Sequence, residues 1–169
     1  MSEGDPRALL VPVQVRDLPA MRVAQVAYAG EPAGIGAAFE RVNQFALERG
    51  IGPCGPLMGV YPRIGDPIDP IDALVRVPVT RLLDVEPAPG VETLRLARQR
   101  AACLMFNGLM GPEFREVHFD LFAWMDAQGL PRAGTAHQHA YIAGTGPGSA
   151  WTVEIRVPIV GGLAPGLAV

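Results

Sequence analysis

The sequence predicts an α+β protein built from a duplicated strand–helix–strand–strand unit. Two segments, at about 34–49 and 112–128, carry apolar residues at helical spacing, which predicts two main helices. Short segments of alternating apolar and polar residues surround each helix and are typical of an antiparallel sheet. The same order of elements occurs before and after a proline-rich linker at 87–90. We therefore expect a pseudo-two-fold arrangement, with both helices on one face of the sheet and a central ligand cleft on the other face, between the halves.

Length and composition are those of one globular domain. The chain has 169 residues, of which 49% are hydrophobic and 18% charged, so it can bury a sizeable core. We place a single domain at 11–160, with repeat halves at about 11–86 and 91–160. A flexible lead-in is expected at 1–10 and a loose tail at 161–169.

Charge and the rarer residue types exclude several functions. The net charge of −3, without a basic cluster, argues against direct binding of nucleic acid. All fourteen basic residues are arginine, so Schiff-base chemistry on lysine is excluded. The two cysteines lack metal-ligand spacing, and the chain shows neither a secretion signal nor an apolar run that could span a bilayer. These features predict a cytoplasmic protein with reduced thiols and no membrane contact.

The first half contains the pattern of four strands and one helix. Alternating valines predict a strand at about 11–15, and Asp, Leu and Pro predict a turn at 17–20. The helix at 34–49 follows a break of Gly, Glu and Pro and ends at Gly50. Further strands are predicted from apolar alternation and turn signals at 22–28, 57–61 and 73–80.

The second half repeats this order. The helix at 112–128 has proline in its first turn and Gly129 after its last, which is the usual punctuation of a helix. The glycine-rich segment at 144–148 predicts a hairpin loop. Strands are predicted at 91–96, 100–106, 137–142 and 151–159.

The two halves also correspond residue by residue. Tyr61 matches Tyr141, and the segment at 75–79 (Val-Arg-Val-Pro-Val) matches that at 155–159 (Ile-Arg-Val-Pro-Ile). Near the start of each half, the matching pairs are Arg22 with Arg100, Tyr28 with Phe106 and Gly30 with Gly108. Small slips in offset over so many matches favour duplication.

These motifs, in this order, resemble the GyrI-like effector-binding domain that also occurs at the ends of AraC- and MerR-type regulators. The resemblance extends over nearly the whole chain and implies the duplicated fold, with a groove that binds bulky, apolar and often cationic small molecules. No helix-turn-helix segment precedes it, so the resemblance is to the free-standing form. The segments that carry it are Asp17-Leu-Pro-Ala-Met-Arg-Val-Ala24, Gly30 with its following helix, Gly59-Val-Tyr61, Phe122-Ala-Trp-Met125, Tyr141 and Glu154-Ile-Arg-Val-Pro-Ile159.

The chain departs from the family at one position. In the family, a glutamate two residues before the tyrosine of the penultimate strand contacts the positive charge of the ligand. That position is His139 here. A neutral imidazole cannot supply a buried negative charge, so the resemblance does not extend to a preference for cations.

Two histidines near Tyr141 are the leading site candidates. His137, His139 and Tyr141 alternate along a strand and therefore share one face. We expect His139 to lie in the cleft and contact the ligand, with His137 as a second contact. Two alternatives stay open: proton transfer by His139, and a metal site in which His118 supplies a third ligand from the helix. We predict no metal and no cofactor.

The other ligand-binding candidates are aromatic, flexible or acidic. Tyr61 and Tyr141 are expected as matching cleft walls, although ordinary sheet packing explains them equally well. Glu154 lies opposite the apolar face of the last strand and corresponds to Leu74, so the fold does not require an acid there; we expect it to contact the ligand. A further wall is predicted from Tyr28, Phe106, Met110 and Phe114.

The predicted function is binding of bulky apolar or aromatic small molecules, drug-like or natural-product-like, for sensing or for sequestration and resistance. The alternative is a hydrolase, because the resemblance includes free-standing members that hydrolyse cyclopropane-containing genotoxic natural products. His139, with Glu154 or Tyr141, is then expected to activate water or protonate the leaving carbonyl. A lesser alternative, modulation of DNA gyrase through protein contact, comes from the family name alone. We expect a monomer or a homodimer.

Overall fold

The structure, a computed structural model, describes residues 13–64, 69–82, 84–146 and 148–161. The predicted lead-in at 1–10 and the tail beyond Gly161 lie outside the described residues. So do Val11 and Pro12 of the predicted first strand.

Ten helices and strands make up the described part of the chain. The helices are α1 (Ile35–Glu48) and α2 (Pro112–Ala127), and a short 3-10 turn, Pro32–Gly34, precedes α1. Gly50 and Gly129 follow the two helices with left-handed φ angles of 61° and 67°, as their positions after the apolar stripes predict. The strands are β1 (Gln14–Leu18), β2 (Met21–Gly30), β3 (Leu57–Tyr61), β4 (Ile71–Val79), β5 (Val91–Leu96), β6 (Gln99–Gly108), β7 (His137–Ala143) and β8 (Trp151–Pro158).

The first strand lies later than predicted. The segment at 17–20 was expected to form a turn, but Asp17 and Leu18 belong to β1. Leu18 is only 6% exposed and packs with Ala101 and Cys103 of β6. Burial of this leucine therefore extends the pairing of β1 with β6 across the expected turn.

All eight strands form one antiparallel sheet in the order β1-β6-β8-β7-β3-β4-β2-β5. The predicted α+β fold with two main helices and an antiparallel sheet is confirmed. The central pair is β7 and β3, one strand from each half of the chain. In this pair His139 lies opposite Gly59, and Tyr61 lies opposite His137.

Both helices cover the same face of the sheet. Helix α1 packs on β2 and β4 through a core that includes Val42, Phe45 and Val75. Helix α2 packs on β6 and β8 through a core that includes Leu121 and Ile155. Residues paired across antiparallel strands point to the same side of the sheet. One such row crosses the sheet as Val26, Val75, Gly59, His139, Ile155 and Leu104.

This row corrects the predicted position of the cleft. The cleft was expected on the face away from the helices, but His139 lies on the helix-covered face. Eight strands about 4.8 Å apart span about 34 Å, whereas two helices about 10 Å wide cover only about 20 Å. Helix α1 packs on β2 and β4 and helix α2 packs on β6 and β8. The central strands β3 and β7 therefore lie in the gap between the helices.

Neither described helix is long and apolar enough to cross a membrane.

Candidate functional site

A cavity of about 880 Å³ opens on the helix-covered face, between the two halves of the chain. Its walls come from the start of α1, the loop at 109–111 before α2, and the hairpin between β7 and β8. Among the described residues that line it, none is charged, and only Tyr141, Ser149 and Trp151 carry a polar side-chain atom. The cavity therefore has the size and the apolar lining of a small-molecule site.

Three aromatic rings form one wall of this cleft. Tyr141 contacts Phe39 of α1 edge to face, with ring centroids 5.3 Å apart, and contacts Trp151 at 5.9 Å. Trp151 lies directly against Gly144, where an added Cβ would be 2.1 Å from the indole ring. The indole Nε1 also donates to the carbonyl of Gly146 at 3.2 Å. The glycine-rich hairpin thus positions Trp151 in the cleft.

The rim of the cleft is unusually apolar for an exposed surface. Leu109, Met110 and Ile142 are 61%, 46% and 48% exposed and all line the cavity. A group of large exposed apolar side chains around a concave site is typical of a binding surface.

A chain of hydrogen bonds runs from the cleft floor into α2. The hydroxyls of Tyr61 and Tyr141 are hydrogen-bonded to each other, and the Tyr141 oxygen is 3.3 Å from His139 Nδ1. His139 Nε2 is 2.7 Å from His118 Nε2, and His118 Nδ1 is 2.6 Å from the carbonyl oxygen of Phe114.

The carbonyl of Phe114, at the end of this series of hydrogen bonds, determines where each hydrogen lies. A carbonyl only accepts, so His118 Nδ1 carries the hydrogen and, in the neutral ring, Nε2 accepts. His139 must then donate from Nε2 and accept at Nδ1 from the Tyr141 hydroxyl. Tyr61 in turn donates to the Tyr141 oxygen. With neutral imidazoles, each group in the chain therefore has a partner of the right kind.

Burial keeps these groups neutral near pH 7. It lowers the pKa of His118 to about 4 and that of His137 to about 3, and it lowers the pKa of His139 well below 6.5. Burial also raises the pKa of Tyr61 to about 12 and that of Tyr141 well above 10. Of these groups only Tyr141 lines the cavity, so the cleft is offered one hydroxyl, while Tyr61 and the neutral histidines lie behind it.

A missing side chain makes room for this arrangement. Gly59 lies beside His139, and the ring of Tyr61 folds back over it; a Cβ on Gly59 would be 2.5 Å from the Tyr61 oxygen. In this position the Tyr61 ring packs 4.6 Å from His139 and 5.6 Å from His137. The glycine lets Tyr61 reach the Tyr141 hydroxyl.

The structure places the other predicted aromatic and flexible residues at different depths. Met110 lines the cleft. Phe114 lies behind it, with its ring 5.0 Å from His139 and 4.9 Å from Phe106. Phe106 belongs to the core under α2. Tyr28 packs against the core under α1, and its hydroxyl donates to the carbonyl of Glu31.

Glu154 lies away from the cleft, which corrects its predicted role. It pairs with Ala140 and Met105, one residue out of phase with the row that contains His139 and Ile155, and so faces the opposite side of the sheet. There its carboxylate accepts from Arg16 and Arg156, each at 2.6 Å. The apolar residues of β8 point to the side of the sheet that holds the cleft. Glu154 alternates with them and points to the other side, so it cannot contact a ligand bound in the cleft.

Several cleft residues were not predicted. Trp151, Phe39 and Ile35 line the cavity, together with the hairpin glycines. The sequence feature that could have identified Trp151 is its position shortly after the glycine-rich loop at 144–148. Phe39 and Ile35 belong to the apolar stripe of α1, whose apolar face is wide enough to cover both the sheet and the edge of the cleft.

The three histidines of the chain form one cluster. His118, His137 and His139 are all buried, and each offers a ring nitrogen within 4.8 Å of the others. Imidazole nitrogens are ligands for divalent transition metals, so within the described part of the chain these three residues could hold an ion.

The fold and the cleft together define an α+β small-molecule-binding domain. Residues 12–160 match the family described as the GyrI-like small molecule binding domain, and the chain belongs to this family. A search of curated proteins finds no significant match.

Solved structures show the same fold at low sequence identity. The C-terminal domain of EcmrR aligns with a TM-score of 0.76 and 13% identity, over 89% of this chain and 98% of that one. The structure of SAV2435 bound to tetraphenylphosphonium aligns with a TM-score of 0.59 and 12% identity, over 89% of this chain and 94% of that one. The structure of a hydrolase from Listeria innocua aligns with a TM-score of 0.64 and 16% identity, over 87% of this chain and 91% of that one.

Proposed function

We propose that this chain binds bulky, uncharged aromatic small molecules in the cleft, for sensing or sequestration. The observation that carries the proposal is an apolar cavity of about 880 Å³ whose described lining contains no charged side chain. Tyr141 and Trp151 supply aromatic surface and, through the Tyr141 hydroxyl, one polar group that can orient a ligand.

The absence of charged side chains among the described lining residues favours a neutral ligand over a lipophilic cation. SAV2435, which shares the fold, was solved with tetraphenylphosphonium. In this chain His139 occupies the position where the family resemblance implies a glutamate, and burial lowers its pKa so that the ring is neutral. A cation entering this cleft would lose hydration without gaining a carboxylate partner among the described lining residues.

Apolar burial is the main source of affinity expected in this cleft. A micromolar dissociation constant needs about −8 kcal/mol. Burial of about 300 Å² of aromatic surface at about 25 cal/mol per Å² supplies most of that free energy.

We expect the neutral fluorophore N-phenyl-1-naphthylamine to bind saturably, and Trp151→Ala to weaken its binding about tenfold or more. The substitution removes one of the aromatic walls, and about 1.4 kcal/mol corresponds to a tenfold loss. Fluorescence titration measures both affinities. Trp124→Phe is the matched control, because Trp124 packs in the core under α2, away from the cleft, and its loss should leave binding unchanged.

Competition then tests the preference for neutral ligands. Neutral triphenylphosphine oxide should displace the fluorophore better than tetraphenylphosphonium does. Tighter competition by the cation would contradict the charge argument, whereas unchanged binding in Trp151→Ala would contradict use of the cleft itself.

The hydrogen-bonded chain favours hydrolysis as a second candidate function. In this proposal, water attacks a carbon of a carbonyl-conjugated cyclopropane and the strained carbon–carbon bond breaks. For this step the Tyr141 hydroxyl turns its hydrogen from His139 toward the cleft. The electron pair moves to the carbonyl oxygen, which takes that proton, while the attacking water loses a proton to solvent and solvent returns one to the tyrosine. His139 then serves as a positioning residue, because it holds the Tyr141 hydroxyl from behind at 3.3 Å.

Product mass after incubation with such a cyclopropane tests this candidate. Turnover should add one water to the substrate and fall at least about a hundredfold in Tyr141→Phe, because general acid catalysis is worth about that much. Glu154→Gln, on the opposite face, should retain turnover. Unchanged substrate in the presence of saturable binding would leave sequestration as the function.

We also infer that the halves at about 11–86 and 91–160 arose by duplication. The strand order supports this inference: when each strand of the first half is exchanged with its counterpart in the second, the order reads the same from the other edge. The two central strands, β3 and β7, are then counterparts, which matches Tyr61 with Tyr141 on facing strands.

A further inference from the structure

All three histidines of this 169-residue chain meet in one buried cluster behind Tyr141. His137 and His139 come from alternate positions of β7, and His118 comes from the facing side of α2. Their side chains are 3%, 6% and 2% exposed, and one nitrogen of each lies within 4.8 Å of the other two. The duplicated fold does not itself require an imidazole at residue 139, because the corresponding residue of the other half is Gly59.

The surroundings of the rings direct the lone pair of His118 Nε2 at His139 and leave one buried nitrogen of His137 without a hydrogen-bond partner among the described residues. The bond from His118 Nδ1 to the carbonyl of Phe114 leaves His118 Nε2 directed at His139. A ring nitrogen hydrogen-bonded to a backbone carbonyl is a common second-shell arrangement of metal-binding histidines. In contrast, His137 Nδ1 is buried without a hydrogen-bond partner among the described residues. Such a group costs free energy unless something binds it.

We propose that His118, His137 and His139 form a binding site for a divalent transition metal ion of the Zn²⁺ type. Imidazole suits zinc, cobalt and nickel, and three histidines leave a fourth position of a tetrahedral ion open. This proposal is independent of the organic ligand, because the cluster lies behind the aromatic wall of the cleft.

Ion binding requires small movements of the rings, which bring nitrogens up to 4.8 Å apart closer together and open the shortest separation, and one change of tautomer. Zinc–nitrogen bonds of about 2.0–2.1 Å place two tetrahedral ligand atoms about 3.3 Å apart. The 2.7 Å separation of the His118 and His139 Nε2 atoms therefore has to open by about 0.6 Å. His139 gives up its hydrogen at Nε2 to solvent and takes one at Nδ1, so its charge is unchanged. It then donates to the Tyr141 oxygen, and the Tyr141 hydrogen is free to turn toward the cleft.

Titration of tag-free, EDTA-treated protein with Co²⁺ tests the site. We expect one ion per chain, with the intense visible absorption of tetrahedral cobalt, and displacement of that absorption by Zn²⁺. Zinc at a hundred times its dissociation constant should raise the melting temperature by about 5–10 °C.

His137→Gln is the decisive variant. The unpartnered Nδ1 of His137 takes no part in the hydrogen-bonded chain, so the variant should fold, as circular dichroism of the metal-free protein can verify. We expect it to lose cobalt affinity at least about a hundredfold, and His118→Gln to lose it as well. Cys54→Ser, which removes an exposed thiol, should bind cobalt like the parent. Weak octahedral absorption only, retained binding in His137→Gln, or loss of binding in Cys54→Ser would overturn the proposal.

Discussion

Lowering the pH of the metal-free protein from 7 to 5 is expected to reduce its free energy of unfolding by about 2 kcal/mol for each of His118 and His137. His139 contributes in the same direction, because burial lowers its pKa well below 6.5 too. Single domains have only about 5–15 kcal/mol of stability, so this loss is a large part of the total.

The sign follows from which state binds protons. In the unfolded chain a histidine has a pKa of about 6.5. In the folded protein burial lowers the pKa to about 4 for His118 and about 3 for His137. Below pH 6.5 the unfolded state therefore takes up protons that the folded state refuses. The stabilisation is complete above pH 6.5 and decreases as the pH falls toward the folded-state values.

Urea unfolding at pH 7, 6 and 5 measures the loss. Most carboxylates remain ionised over this range, so the histidines dominate the change. His137→Gln should reduce the loss between pH 7 and 5 by about 2 kcal/mol, since a glutamine takes up no proton in either state. An equal loss in parent and variant would mean that His137 is protonated in the folded protein.

The secondary structure could largely be predicted from the sequence. Both helices and most strands begin and end within a few residues of the periodic segments, because apolar alternation and helical spacing directly reflect burial on one face. The first strand is the exception: Leu18 in a turn-like segment is buried by pairing with β6, a strand about 80 residues later in the chain. Pairing between distant segments leaves no local signal.

The position of the cleft could not be predicted. Alternation places His137, His139 and Tyr141 on one face, and the structure confirms that grouping. The alternation in the sequence does not tell which face the helices leave partly uncovered. The apolar side of β8 was taken as fully packed, which put Glu154 in the cleft. In fact the helices pack on β2, β4, β6 and β8 and leave β3 and β7 partly uncovered, so the same apolar side lines both the core and the cleft.

The convergence of the histidines is likewise a product of packing. The sequence leaves open a site shared by His118, His137 and His139, but no spacing in the sequence predicts that a helix and a distant strand bring them together. They meet because α2 lies across β6 and β8, with one side facing the neighbouring strand β7. Glycine at the facing position of β3 then leaves room for a second aromatic ring beside them.

Gly59→Ala is expected to destabilise the protein by about 2 kcal/mol, because the space above Gly59 is already occupied. The new methyl group would be 2.5–2.7 Å from three atoms of the Tyr61 ring. The backbone at Gly59 does not have a left-handed φ, so the cost comes from displacing the ring and not from backbone strain. Displacement also breaks the hydrogen bond between Tyr61 and Tyr141 and removes the ring packed against His139.

A double-mutant cycle separates this contact from other effects of the substitution. In a Tyr61→Ala background the added methyl group has nothing to displace, so Gly59→Ala should cost little, and the coupling free energy between the two sites should be about 2 kcal/mol. Gly36→Ala in α1 is the matched control: no atom lies within 4 Å of its added Cβ, and alanine favours a helix over glycine by up to about 1 kcal/mol. If Gly59→Ala costs the same in both backgrounds, Tyr61 does not lie over Gly59, and the Tyr61–Tyr141–His139 arrangement loses its support.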